Sequence, residues 1–221
     1  LIALKEELVV ADLNLDYWSR TELGKPHQIL IDVLSESSLN DLVLFLKGKN
    51  LCLSGLAFTV GKAITMPLQS MKSPEYNEIL RLNTISFFNL VSVLIKSGSF
   101  SSKGASIVVI SSLVGELGAR GKMAYSASKG AINSGIRSLA QELAAQNIRI
   151  NAISPGTIHS PMLDRLESTI GSDEVKKLSD NYPLGLGYPE DVAALAVYVM
   201  SNNSQWMTGS VITIDGGLSA R

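Results

Sequence analysis

The stretch Met123–Ile132 reads MAYSASKGAI and sets Tyr125 four residues ahead of Lys129 in a run of small, helix-compatible residues. Side chains at that offset lie one above the other on a single helix face. A free phenol titrates near pH 10 and is a poor base at neutrality, whereas a neighbouring ammonium favours the phenolate and draws its pKa down. A phenol tuned in this way can exchange a proton with an alcohol or ketone near pH 7. Of the six tyrosines, only Tyr125 has a lysine at this offset. Ser111-Ser112 closes the β-branched run IVVI (107–110), and Ser112 stands thirteen residues before Tyr125 across the glycine-rich LVGELGARGK. Ligands of open α/β sheets bind beyond the carboxyl ends of strands, so a hydroxyl there could steady charge on a substrate oxygen. The alternative for Ser112 is a turn or helix-cap serine. Asn83 lies inside the apolar EILRLNTISFFNL. A buried amide needs a partner, either a water or lysine-linked hydrogen-bond chain or a plain interhelical contact.

These groups require a framework that the rest of the sequence outlines. With 221 residues, 46% of them apolar and 18% charged, the chain suits one α/β domain with a large core. The net charge of −1 implies no attraction to nucleic acid or membrane surfaces. One cysteine, Cys52, excludes an internal disulfide framework and fits a reducing compartment, so we expect a cytoplasmic protein. No apolar run approaches the roughly 18 residues of a membrane span, and the start LIALKEELVV has early acids and no basic run, unlike a signal peptide. Short apolar runs at 8–11, 28–31, 51–53, 107–110, 148–154 and 210–214 read as strands. Helices are expected from Ser35 over SESSLNDLVLFLK, from Pro74 to about Gly98, from the Tyr125 region to about Gln146, and over 191–200. Strands alternating with helices predict a Rossmann-like, doubly wound parallel sheet with helices on both faces. The polar stretch 157–188 reads as a weakly helical excursion that would serve as a substrate lid.

A strand ending in Ser-Ser, a glycine-rich gap, YSASK, NAISPG and a final DGG together resemble the short-chain dehydrogenase/reductases over Leu8–Gly217. The resemblance implies a hydride transfer between a nicotinamide cofactor and a carbonyl or secondary alcohol. In it Tyr125 is the general acid/base, Lys129 lowers its pKa and holds the nicotinamide ribose, Ser112 orients the substrate oxygen, and Asn83 anchors a water leading to Lys129. Pro155, Gly156 and Ile158 would wall the nicotinamide, with Ser160 in place of the usual threonine. Ile110 and Ser111 would line the cofactor side of their strand. Asp12, after the second strand of the expected fold, would accept from an adenosine ribose and repel a 2′-phosphate, favouring NAD over NADP; the alternative is a strand-end turn residue. Asp32-Val33 would hold the adenine. The substrate is a small carbonyl or alcohol, with 3-oxoacyl-carrier-protein reduction as an alternative, for which Lys103 suits carrier docking and Gln146 does not. A non-catalytic binding or regulatory module on the same fold is the alternative of another class. The family commonly forms tetramers, and the apolar helices of Asn83 and Tyr125 suggest a homodimer or homotetramer.

The sequence also departs from the pattern. The family's opening strand and TGxxxGxG turn are not found from Leu1 onward, and we expect that segment to precede it. The NNAG element after the fourth strand is degraded; Leu53–Gly55 is the candidate, with Gly55 as its glycine, and Gly61 is the rival on spacing. Ser54–Lys62 (SGLAFTVGK) mimics the missing turn, but out of order and with Thr59 where a glycine belongs. His27 and His159 are too few for a metal site. Cys52 reads as a buried strand residue and Trp18 as a packing residue, and Arg120 and Lys122 as solvated loop charges or, less favoured, contacts to an anionic substrate.

Overall fold

The β-branched and leucine-rich runs do form strands, and each is short enough to need helices on both sides. The computed structural model describes residues 7–15 and 26–220; Trp18 lies outside them. Six parallel strands are present among these residues: β1 (Val9–Asp12), β2 (His27–Leu30), β3 (Gly55–Phe58), β4 (Ala105–Ile110), β5 (Ile148–Pro155) and β6 (Val211–Ile214). β1 pairs with β2, and a separate four-stranded sheet runs in the order β3-β4-β5-β6. Both parts pack against one apolar cluster that includes Ile31, Val33, Phe58, Ile107 and Val109.

Strand alternation decides which helix each residue meets. Ile107 and Val109 of β4 face the cluster shared with α1 (Glu36–Gly48), α3 (Ser86–Lys96) and α5 (Met123–Leu143). Val108 points the other way and meets Val192 and Val199 of α8 (Pro189–Met200). Ser35 caps α1 by accepting from Ser38 N, as its position before the apolar periodicity predicts.

One strand expectation shifts. Leu51–Leu53 forms no named strand; only Leu53 bridges, to Phe100, and β3 begins at Gly55 instead. Its sequence, GLAF, has little β propensity, and partner pairing with Ser106–Val109 overrides that. Cys52 is exposed rather than buried, because it precedes the sheet.

The predicted long helix from Pro74 is three pieces in one continuous run: α2 (Ser73–Leu80), a π-helical turn (Arg81–Ile85) and α3. The run Ser73–Lys96 has the length and composition of a membrane span once its polar residues are counted. Its Asn83, Thr84 and Ser86 are nonetheless buried against protein, and Asn83 and Thr84 are hydrogen-bonded to Ser128 of α5. The excursion after β5 is more helical than expected, holding α6 (Pro161–Ile170) and α7 (Ser172–Ser179). A short α4 (Val114–Leu117) follows Ser112.

Candidate active site

Ser112, Tyr125 and Lys129 converge where β4 and β5 end. The pairing of these strands continues past their last residues, with Ser111 N donating to Ile153 O at 2.7 Å and Leu113 N to Pro155 O at 3.0 Å. Ser112 is therefore fixed between β5 and α4. Gly115 allows α4 to lie directly on α5: a Cβ there would stand 2.8 Å from Lys129 Cβ and 3.0 Å from Gly130 N. No larger residue fits without moving the helix that carries Lys129.

Lys129 is buried at 4% exposure, and Nζ donates to Ile110 O at 2.7 Å. Burial lowers its pKa from the usual lysine range to about 8. Nζ lies 5.9 Å from the centre of the Tyr125 ring. Tyr125 itself is buried, and the pKa of its phenol is raised, not lowered as the sequence suggested. Desolvation is the larger cause, and a side-chain hydrogen bond with Ser112 acts in the opposite direction. The lysine charge does not overcome that burial, since Nζ is directed at the Ile110 carbonyl. At neutral pH the phenol is a proton donor.

Asn83 is fully buried, and its amide is engaged on both atoms. Oδ1 accepts from Lys62 N at 2.9 Å, while Nδ2 donates to Lys62 O at 2.9 Å and to Ser128 Oγ at 3.0 Å. Ser128 Oγ in turn donates to Tyr125 O at 2.7 Å. The side chain thus clamps the Gly61–Lys62 loop to the helix of Tyr125. The π-helical turn centred on Asn83 is the backbone distortion that admits this clamp.

Gly61, not Gly55, is the glycine at the site. A Cβ on Gly61 would lie 3.4 Å from Lys129 Nζ and 3.5 Å from Asn83 Oδ1. Gly55 pairs with Ser106 in β3, and a Cβ there would strike Met200 of α8, on the opposite face. The other expected contact residues have internal partners of their own. Ser111 is buried with Oγ donating to Asn133 Oδ1 at 2.6 Å, so its hydroxyl faces α5. Val33 is in the core. Ser160 Oγ is the N-cap of α6, accepting from Leu163 N at 3.4 Å. Asp32 Oδ1 accepts from Leu34 N at 2.8 Å, a local turn. Asp12 is exposed at the end of β1, with Oδ1 accepting from Asn14 N at 3.2 Å.

Pro155 and Gly156 do end β5 beside this cluster. A Cβ on Gly156 would meet Tyr182 Cε1 at 2.9 Å and Asp215 Cα at 3.0 Å, so only glycine fits. Ile158 bridges to Gly187, and the Tyr182 hydroxyl donates to Thr157 Oγ1 at 2.8 Å and accepts from Thr157 N at 3.0 Å. Both ends of the 157–188 excursion are therefore joined at its base. Sequence reasoning missed Ser128, Gly61 as first choice and the Ile110 carbonyl; of these, Ser128 was readable as the residue three positions after Tyr125 on the same helix face. Among the described residues, no three His, Cys, Asp or Glu side chains group as metal ligands.

The arrangement also fits a nicotinamide ribose. An ammonium carries three donors, and among the described residues only the Ile110 carbonyl engages Lys129 Nζ. The remaining N–H groups lie beside Gly61, where the lack of a Cβ leaves space for a hydroxyl-bearing group.

The chain as a whole is similar to known proteins. The family model described as enoyl-(acyl carrier protein) reductase matches residues 7–219. The 3-oxoacyl-[acyl-carrier-protein] reductase of Thermotoga maritima is 30% identical over 93% of this chain and 83% of its own. The NADP-dependent (R)-specific alcohol dehydrogenase of Lentilactobacillus kefiri is 32% identical over 73% of this chain and 64% of its own. A short chain dehydrogenase family protein from Francisella tularensis superposes with a TM-score of 0.86 at 26% identity, covering 97% of this chain and 88% of that one. The family model spans β4 and α5 and nearly all of the rest, and the chain is a member of the short-chain dehydrogenase/reductase family, a nicotinamide-dependent oxidoreductase acting on carbonyl and CH–OH groups.

Proposed function

We propose that Tyr125 is the general acid/base of this oxidoreductase, with Ser112 orienting the substrate oxygen and Lys129 holding the nicotinamide ribose and the charge that develops on Tyr125. The observation that carries this reading is the convergence of a buried phenol, its Ser112 hydrogen bond and a buried ammonium 5.9 Å from its ring. Lys129, Pro155, Gly156 and Ile158 would hold a nicotinamide, which would supply the hydride for the carbonyl carbon. Tyr125 gives its proton to the carbonyl oxygen, and Ser112 donates to that same oxygen. The Lys129 ammonium faces the phenolate that results. Asn83 serves the reaction indirectly, by holding the Gly61 loop and α5 in register.

Asp12, exposed at the carboxyl end of β1, supports NAD over NADP because a carboxylate there would repel a 2′-phosphate. The excursion 157–188 serves as a substrate lid on its joined base. The protein works in the cytoplasm as a homodimer or homotetramer, on a small carbonyl or alcohol. Reduction of a 3-oxoacyl group on a carrier is the second reading, favoured by the similarity to the Thermotoga reductase.

The test pairs Tyr125→Phe with the unaltered protein. Fluorescence titration should give equal NADH affinity for both and weaker NADPH binding. Turnover of ketones with NADH should fall by about 10²–10⁴ in the variant. Turnover by Tyr125→Phe at the unaltered rate would refute the assignment.

A further inference from the structure

Ser112 takes its hydroxyl direction from a helix too short to hold its own. The strand-end bonds of Ser111 and Leu113 fix the backbone on either side of Ser112. Its Oγ, however, accepts from Val114 N at 3.3 Å, and Val114 opens α4. With one lone pair occupied there, the O–H is left to point elsewhere, and it is the Tyr125 phenol that it meets. α4 is four residues long, no side chain caps its N-terminus, and it ends at Gly118 with a φ of 68°. A single turn has no stability of its own in water, so contacts from outside must set where Val114 N points.

Two of those contacts hold the start and middle of α4: Leu113 N on Pro155 O, and Gly115 against Lys129 and Gly130 of α5. The third is a carboxylate. Glu116 Oε1 accepts from Ser154 Oγ at 2.7 Å, the short length of a charge-assisted bond. Ser154 is fully buried in β5, immediately before Pro155, so the anchor is rigid. Glu116 itself is exposed, and among the described residues it forms no ion pair and no other side-chain hydrogen bond. The end of α4 is thereby pinned to the strand whose Pro155 and Gly156 stand beside the site.

We propose that Glu116 is a positioning residue of this enzyme: held on Ser154, it fixes α4 so that Val114 N turns the Ser112 hydroxyl toward Tyr125 and the substrate oxygen. This rests on the reading of Ser112 and Tyr125 above and adds the groups that orient them. Glu116 acts as an acceptor and not through its charge, so an amide oxygen at the same place can replace it. A glutamate kept only to satisfy a buried hydroxyl would become dispensable once Ser154 lost that hydroxyl. A positioning glutamate would not, because α4 would still be released.

The experiment follows the Tyr125 phenol by NMR at pH 7, in protein isotope-labelled at tyrosine Cζ, with the resonance assigned by its loss in Tyr125→Phe. Ser112→Ala gives its position without the serine bond. We expect Ser154→Ala and Glu116→Ala each to move the resonance most of the way to that position, and Glu116→Gln to leave it where it stands. Glu116→Ala added to Ser112→Ala should move it no further. Circular dichroism checks that each variant is folded; Ser154→Ala, which removes the buried donor instead of stranding it, carries the test if Glu116→Ala unfolds. In turnover of cyclohexanone and methyl acetoacetate with NADH, Ser154→Ala and Glu116→Ala should lose roughly 10–10²-fold in kcat with KM for NADH unchanged, and Glu116→Gln should retain it. A resonance unmoved in Ser154→Ala and Glu116→Ala, one moved equally by Glu116→Gln and Glu116→Ala, or a kcat equal to the unaltered protein's in both overturns the proposal. The resonance needs no turnover, so it decides the positioning even where neither ketone reacts. Failure to bind NADH or NADPH in the fluorescence titration counts against the oxidoreductase reading alone.

Discussion

Asn83→Ala and Asn83→Asp together test the clamp between the Gly61 loop and the helix of Tyr125. Asn83 makes three hydrogen bonds from a fully buried position. At a net worth of about 1 kcal/mol each, Asn83→Ala removes up to about 3 kcal/mol. Lys62 is exposed, so water can recover its N–H and carbonyl, and Ser128 keeps its bond to Tyr125 O. The expected loss is therefore roughly 1–3 kcal/mol, a fall in Tm of about 2–4 °C per kcal/mol for a chain of this size. Asn83→Asp places an oxygen where Nδ2 now donates, 2.9 Å from Lys62 O and 3.0 Å from Ser128 Oγ. Attraction to Lys129 offsets part of the burial of the new charge. It does not remove the oxygen–oxygen contact with Lys62 O, which only protonation relieves. The aspartate pKa is thus raised on folding, so its penalty is fully present above the folded value and shrinks as pH falls through it. Urea denaturation at pH 8 and pH 5 measures both effects. Asn83→Asp should be less stable than Asn83→Ala at pH 8 by about 1–3 kcal/mol, the scale of an unsatisfied buried polar group, and should recover toward it at pH 5. An Asn83→Ala protein within about 0.5 kcal/mol of the unaltered one, or an aspartate variant as stable as the alanine one at pH 8, would refute the clamp.

Lys129→Met should change the pH dependence of stability in a definite direction. The folded pKa of about 8 lies below the ordinary 10.5, so the unfolded chain binds more protons between these values and stability rises with pH across that window. Denaturation at pH 8 and 10 should show that rise in the unaltered protein, about 3 kcal/mol at most, and not in Lys129→Met; parallel slopes would contradict the burial of a charged Lys129. Gly156→Ala should cost about 1–3 kcal/mol by overpacking against Tyr182 and the Asp215 backbone, and a thermal melt unchanged from the original would show that the end of β5 is looser than these contacts imply.

The sequence was most legible where side-chain type and period agreed. IVVI, the Tyr125–Lys129 offset and the Ser-Ser strand end gave β4, α5 and their convergence, because a buried parallel strand is apolar throughout and a helix face repeats every three or four residues. It was least legible where backbone did the work. GLAF carries a weak strand signal beside Leu51–Leu53, which points to Gly55 as the site glycine although it is Gly61 whose missing Cβ faces Lys129. The Ile110 carbonyl that holds Lys129 has no sequence signature at all. The cofactor contact expected of Ser111 came from the family resemblance alone; adjacent residues of an extended chain point to opposite sides, and the Ser111 hydroxyl bonds Asn133. Asn83 stood out as a polar residue in an apolar helix, which is what exposed the clamp, and its contact with Ser128 is the interhelical partner the sequence allowed.

The pKa directions found for Tyr125 and Lys129 bear on how the proposed chemistry proceeds. Burial favours the neutral form of both groups, raising the phenol and lowering the ammonium. If Lys129 instead made Tyr125 a phenolate before reaction, the ion pair would exist in the ground state and would add nothing to the rate. With the phenol protonated and Lys129 charged at pH 7, the favourable pair forms only as Tyr125 releases its proton to the substrate oxygen. The interaction is then strongest where the barrier is, and the low dielectric around both groups enlarges it. The same arrangement disfavours alcohol oxidation at neutral pH, since Tyr125 must first lose a proton that burial retains. The rate of oxidation should accordingly climb with pH above neutrality while the rate of reduction does not, and parallel pH profiles for the two directions would mean that Tyr125 is already ionised when substrate arrives.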